Sequence, residues 1–331
     1  MTKQWMTELA GKRVLIVGGN GFLGRNFVEQ LGRVGASVRA TGEGEHPAVD
    51  WLGRLDFAEM ENAKRALEGQ QIVIDCIGRL GAAASNLQPT VSLEQELRPQ
   101  LNLMLAAAES ECKPVLLLVS SRLVYGAPQY LPVDELHPLQ PDSFYAVHKI
   151  TAENYANVLA RTHGLRTCIF RLANPYGPYQ KLTAKSYGVI NHFLQRAALG
   201  EAIEVYGRGM QMRDYIFVDD VVEAMLRCTQ VSESTVEVVN LGSGIGLPLS
   251  DAAEIITRLA ASPPVVYRPW PEEDLIVETG HYVSDITRLR QRIGCFNPVS
   301  FEHGAQLTME HYRDSVISFA KPEAVAGRRY P

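Results

Sequence analysis

"RVLIVGGNGFLGRNFVEQLGRVG", residues 13–35, decides the fold. Its first five residues are a short apolar run, rich in β-branched side chains, that ends at glycine. Such a run reads as a buried strand. The glycine cluster turns the chain into "FLGRNFVEQLGRVG", which has helical periodicity and a glycine stop at Gly35. Gly18, Gly21 and Gly24 fit G-x-x-G-x-x-G, and Gly19, Gly21 and Gly24 also fit G-x-G-x-x-G. Between a strand and a helix these glycines permit a tight turn, a close approach of a pyrophosphate to the backbone, and helix–strand packing. The helix start, with Phe22 and Leu23, then offers free N–H groups to the phosphates. A dinucleotide fits this loop. It lacks the G-K-[ST] of an ATP-hydrolysing loop.

The same alternation continues outward. Strands are expected in "ASVRAT", "QIVIDCIG", "PVLLLVSS" and "RTCIFRLAN", with helices in "AEMENAKRALEG", "LRPQLNLMLAAAES" and around "YAVHKITAENY". Strands alternating with helices of this length indicate a parallel, doubly wound α/β sheet of Rossmann type. After Asn174 the pattern breaks into "PYGPYQKLTAKSYG", and "STVEVVNLGSG" returns as a late strand. This predicts a dinucleotide-binding domain over 1–173 plus a returning segment near 215–243. A smaller mixed α/β substrate domain would be made from 174–214 and 244–331.

Bulk properties narrow the function. The 331 residues are 46% hydrophobic and 21% charged, which excludes a disordered chain or a coiled coil. A net charge of −5 without a basic run speaks against a nucleic-acid surface. The five cysteines form no C-x-x-C pair and the eight histidines show no ligand spacing, so no metal is expected. No run approaches 18 apolar residues and the start has no continuous apolar stretch, so a cytoplasmic, non-membrane protein is expected. "LGSGIG" has Leu241 where a nucleophile elbow needs glycine.

Tyr145 stands one helical turn before Lys149, on the same face. A phenol titrates near about 10 and a lysine near about 10.4, so neither moves protons near neutrality without help. An adjacent ammonium, with a positive nicotinamide ring, favours the phenolate and makes an acid/base of the pair. The strand "VLLLVSS" delivers Ser120 and Ser121 at its carboxyl end, where ligands bind in open α/β sheets.

Near the second strand the usual acid for a ribose 2′-hydroxyl is absent. Gly42 occupies its place, Glu43 follows, and Arg39 could meet a 2′-phosphate or simply face solvent. NAD and NADP both stay open. Asp56 in "RLDF" is read either as an adenine contact or as a helix cap. Tyr206 could stack on a nucleotide base or belong to the core. Arg79 could reach a ligand or lie on the surface.

Together "GGNGFLG", "SSRLVYG", "YAVHK", "RLANPYGP", "RGMQMRDYIFVDD" and "NLGSG" resemble the extended short-chain dehydrogenase/reductases, within the sugar-nucleotide epimerase/dehydratase family. They occur in family order over about residues 12–300. The resemblance implies an NAD(P)-binding Rossmann domain and a nucleoside-diphosphate-sugar substrate. It implies catalysis by Ser121, Tyr145 and Lys149, with Ser121 on the reacting sugar oxygen and Lys149 on the nicotinamide ribose. It implies Asn174 and Arg213 as contacts of the substrate diphosphate, with Arg268 as a second candidate. Arg213 could instead pair with Asp214 or Asp219. A homodimer through the Tyr145 helix and the helix before it is also implied.

Two departures carry information. Cys76 and Gly78 stand where many relatives have a His-Leu-Ala-Ala run. Arg122 and Leu123 replace the Asp-Glu pair that 4,6-dehydratases carry after the catalytic hydroxyl residue, which disfavours dehydration. The expectation is 4-epimerisation of a nucleoside-diphosphate sugar through a transient 4-keto sugar. An NADPH-dependent 4-ketosugar reductase is the alternative, and a non-catalytic dinucleotide sensor the third reading.

Overall fold

The computed structural model describes residues 4–44, 46–180, 188–229 and 235–320. Seven parallel strands make the central sheet: β1 (Arg13–Val17), β2 (Ser37–Ala40), β3 (Val49–Trp51), β4 (Ile72–Asp75), β5 (Val115–Ser121), β6 (Arg166–Leu172) and, much later, β10 (Val236–Leu241). Their spatial order is β10-β6-β5-β4-β1-β2-β3. Between β6 and β10 the chain forms β7 (Asn174–Tyr176), β8 (Glu204–Tyr206) and β9 (Met212–Phe217). After β10 come β11 (Gly246–Pro248) and β12 (Val266–Arg268). β11, β9 and β7 form a three-stranded sheet, and β12 pairs with β8.

The strands are buried on both faces because helices cover both. Val14, Ile16, Ile72, Ile74, Val115 and Leu117 pack into one core, while Leu15, Val17, Val73, Leu116 and Leu118 pack into the other. Alternate residues of each strand thus serve opposite layers, the period-two geometry of a pleated strand. A separate core around Tyr176, Phe193, Tyr215, Ile256 and Met309 holds the smaller part together.

The sheet differs from the sequence expectation at two places. Val49–Trp51 adds an edge strand beyond β2. It is too short, and too weakly alternating, to be read from the sequence. The second place is the stretch around residue 215. Tyr215–Phe217 continue β9 in the three-stranded sheet, and the chain rejoins the large layer with the helix Val218–Arg227 and β10.

Candidate active site

β1 ends in the glycine turn, and β2 holds it. Gly18 N–H donates to Thr41 Oγ1 at 2.9 Å, and Gly19 N–H to the Thr41 carbonyl at 2.8 Å. Gly18 sits at φ +85°, in left-handed space that glycine enters without a side-chain clash. A Cβ on Gly24 would lie 2.1 Å from the Gly18 carbonyl, so this helix can sit so close only with glycine there. Gly18, Gly21, Phe22, Leu23 and Gly24 all border one large cavity of about 1400 Å³. The helix Phe22–Arg33 starts at Gly21, whose cap uses no side chain, so its first N–H groups are left for a ligand.

The catalytic candidates come to the same cavity from two other elements. Ser121 closes β5 in extended backbone, and its Oγ accepts the Leu123 N–H at 3.2 Å. Its own proton is then left for a partner outside that turn. Ser120, one residue earlier, also borders the cavity but donates its hydroxyl to Glu153 Oε1 at 2.5 Å. The helix Phe144–His163 begins at Ser143, which accepts the Ala146 N–H. This start places Tyr145 in the first turn, where its backbone N–H meets Ser85 Oγ at 2.9 Å. Lys149 is buried, and its ammonium donates to the carbonyls of Val119 at 2.9 Å and Ile77 at 3.2 Å. That ammonium lies 5.6 Å from the Tyr145 ring centre. Ser121, Tyr145 and Lys149 all line the cavity.

The wall beside the glycine turn is the segment after β4, where Cys76 lies against Gly18. Asp75 is fully buried, and burial raises its carboxyl pKa against the opposing pull of Lys149. Asp75 Oδ1 accepts the Ile77 N–H, and Gln100 donates to Oδ2. Glu96, 3% exposed and set in the π-helical turn Leu93–Leu97, accepts the N–H groups of Arg79 and Leu80 at 2.6 and 2.7 Å. Its other oxygen takes the Ser92 hydroxyl, which in turn meets His148 Nδ1 at 3.1 Å. This wall is thus pinned by Lys149 at one end and Glu96 at the other. Burial pushes the Cys76 thiol, beside the cavity, well up. Arg79 also borders the cavity.

The remaining sequence candidates divide. Asp56 borders the cavity but spends Oδ1 on the Ala58 N–H at 2.9 Å. Arg39 turns away: it bonds Asp50 at 3.0 Å and the carbonyls of Ala66 and Glu68, and it is not among the cavity's lining residues. Asn174 lines the cavity with both ends of its amide engaged, one on the Asp214 carbonyl and one under Arg122. Arg213 does not line the cavity. It pairs with Glu278 and the Gly280 carbonyl. Tyr206 and Arg268 lie outside the cavity as well. Tyr206 is exposed against Trp270, and Arg268 reaches Glu204 at 3.2 Å.

Three residues in or behind the cavity wall had no assigned role in the sequence: Glu96, Arg122 and Tyr215. Arg122 was legible as a replacement for an acid, but its reach was not. Gly42 sits at φ +109° against Asn20, so an acidic side chain has no place there.

A family model for the NAD dependent epimerase/dehydratase family matches residues 14–242, from β1 through β10. This chain belongs to that family. Within it, the chain resembles the UDP-glucose 4-epimerase of Thermotoga maritima, solved with UDP-glucose, at a TM-score of 0.83 and 26% identity, covering 92% of this chain and 99% of that one. It also resembles the UDP-glucose 4-epimerase of Thermus thermophilus, solved with NAD, at a TM-score of 0.81 and 27% identity, covering 91% and 99%. UDP-glucuronic acid decarboxylase 1 of Danio rerio is 27% identical over 323 residues, 93% of this chain and 74% of the relative. The epimerase/dehydratase family therefore places several reactions on this one scaffold.

Among the described residues no group of histidine, cysteine and acid side chains is arranged to hold a metal ion. No described helix is long and apolar enough to cross a membrane.

Proposed function

We propose that this chain is an NAD(P)-dependent epimerase of nucleoside-diphosphate sugars, acting at C4 through a transient 4-keto sugar. The observation that carries the reading is the convergence of Ser121, Tyr145 and Lys149 on one cavity with the glycine turn. The cavity suits a dinucleotide. Its phosphates would meet the helix start at Gly21–Gly24, and Lys149 would hold the nicotinamide ribose. A Cβ on Gly78, in the wall after β4, would meet nothing within 4 Å, so the backbone there leaves open space beside the cavity. A bound dinucleotide would supply reversible hydride acceptance at the sugar carbon.

The chain's own residues do the rest. Tyr145 accepts the hydroxyl proton as the carbonyl forms and returns it when the hydroxyl re-forms. Lys149, fixed by two carbonyls, holds its positive charge 5.6 Å from the Tyr145 ring centre during this exchange. Ser121 donates to the reacting oxygen, a hydrogen bond that strengthens as that oxygen gains charge. Between the two transfers the keto sugar turns over in the cavity. Asp56 would contact the adenine end. A homodimer would use the face of the Tyr145 helix that leaves Phe144, Val147 and Val158 exposed.

Arg122 and Leu123 stand where a dehydratase needs its second acid and base, which argues against water elimination. The 4-ketosugar reductase reading drew on Arg39 as a 2′-phosphate partner, and that arginine is occupied by Asp50 away from the cavity. Incubating the pure protein with UDP-hexoses and no added cofactor tests the proposal. An equilibrium mixture of C4 epimers is expected. A stoichiometric requirement for NADPH would refute it.

A further inference from the structure

Two buried arginines in this molecule are treated in opposite ways. Arg171 is held by Glu153 through Nε and Nη2, with Tyr125 on its Nη1. Burial alone would work against its charge, but the Glu153 carboxylate overrides that and raises its pKa. Arg122 is equally buried, at 8% exposure, yet its hydrogen-bond partners are neutral: Asn174 Oδ1 at 3.2 Å and Thr279 Oγ1 at 2.9 Å. Its guanidinium also lies over the Tyr282 ring at 5.2 Å. The nearby carboxylate, Glu278, is taken by Arg213 and by the Gly280 N–H. Burial and the neighbouring charge of Arg213 lower the Arg122 pKa to about 10. A desolvated cation without an anion is costly unless a ligand completes it.

A second, independent observation lies beside it. Tyr215, 5% exposed and also lining the cavity, has a hydroxyl with no hydrogen-bond partner among the described residues. Two donors, one of them charged, thus stand together at the cavity wall without a carboxylate of their own. This arrangement asks for an anion.

Position separates the possible anions. Arg122 follows Ser121 directly in the chain, and Ser121 is the residue read as touching the reacting oxygen. In a hexuronic acid the carboxylate sits on C5, next to the reacting C4, whereas the diphosphate is attached at C1 across the ring. A different seat suits the diphosphate: the start of the helix Val189–Ala198, where Gly188, Val189 and Ile190 border the cavity and no side chain caps the helix.

We propose that the sugar nucleotide this chain selects carries a carboxylate on its sugar ring, and that Arg122 and Tyr215 bind it. Arg122 is then the residue that separates uronic acids from neutral hexoses, and Asn174 holds its guanidinium in place. The inference rests on the epimerase reading above only for the seat of the sugar, and it can fail separately.

The test is calorimetric binding of UDP-glucuronate and UDP-glucose to the full chain with NAD added. The wild type should hold UDP-glucuronate at least about tenfold more tightly. Arg122→Gln should weaken UDP-glucuronate on the order of 10²-fold and bring the two affinities together. Arg122→Lys, which keeps the charge without the fork, should restore part of the preference and guards against misfolding of the glutamine variant. No preference in the wild type would overturn the inference. Equal weakening of both sugars by Arg122→Gln would overturn it too, because Arg122 would then serve the shared diphosphate. Lack of turnover with either sugar counts against the epimerase alone, since binding selectivity is read without it.

Discussion

Tyr145 stands in the first turn of its helix because Ser143 caps that turn, and Lys149 follows one turn later beneath it. The phenol is thereby offered to the cavity while the ammonium is anchored on backbone carbonyls. Replacing Tyr145 by Phe removes one hydroxyl and leaves the cap and the ammonium in place. Steady-state assays of the Tyr145→Phe variant should show kcat reduced on the order of 10²–10⁴-fold, with the thermal transition close to that of the parent. Asp214 shows how strongly one side chain can organise a region. Fully buried, its carboxylate accepts the N–H and hydroxyl of Ser243 at 2.7 and 2.6 Å, and the N–H groups of Gly244 and Ser284 at 3.1 Å each. A Cβ on Gly242 would come within 2.3 Å of the same carboxylate, which accounts for the first glycine of "NLGSG". Asp214→Asn keeps the shape but sets an NH2 group against donors. Urea denaturation should report a loss of about 2–4 kcal/mol.

At the scale of elements, the turn between β1 and its helix is the most demanding piece of backbone. Gly24→Ala places a methyl against the Gly18 carbonyl and pushes the helix start outward, away from the phosphates it would serve. Equilibrium dialysis should find NAD affinity lowered by at least about tenfold, with the central sheet retained by circular dichroism. This turn was legible because its close packing demands glycine at fixed spacing. The strands "VLLLVSS" and "RTCIFRLAN" were legible because burial on both faces writes an unbroken apolar run. Val49–Trp51 was not, because an edge strand is paired on one side only and carries little pattern. The geometry was legible where the pattern is local, as for Tyr145 and Lys149 on one helix face, both of which line the cavity. It was not legible where a partner comes from a distant segment. Nothing near Arg213 in the chain announces Glu278, and nothing near Arg79 announces Glu96. Arg39, Tyr206 and Arg268 stand outside the cavity for the same reason: each finds its partner across strands or in a distant loop.

Taken whole, the molecule is a sheet with a core on each face, and a smaller body whose own core borders the cavity from the other side. The amide of Asn174 spans the two, receiving Arg122 from the end of β5 and giving its own protons to the Asp214 carbonyl in β9. The last strand of the large sheet is made after most of the smaller body's first half. β10 pairs with β6 from Val236 against Thr167 to Leu241 against Leu172. During synthesis, therefore, the outer side of β6 has no neighbour until that late segment has left the ribosome. An unpaired, buried strand invites the wrong partner. The nascent chain thus carries an unpaired β6 edge after Ser121, Tyr145 and Lys149 have been made and before its sheet is closed.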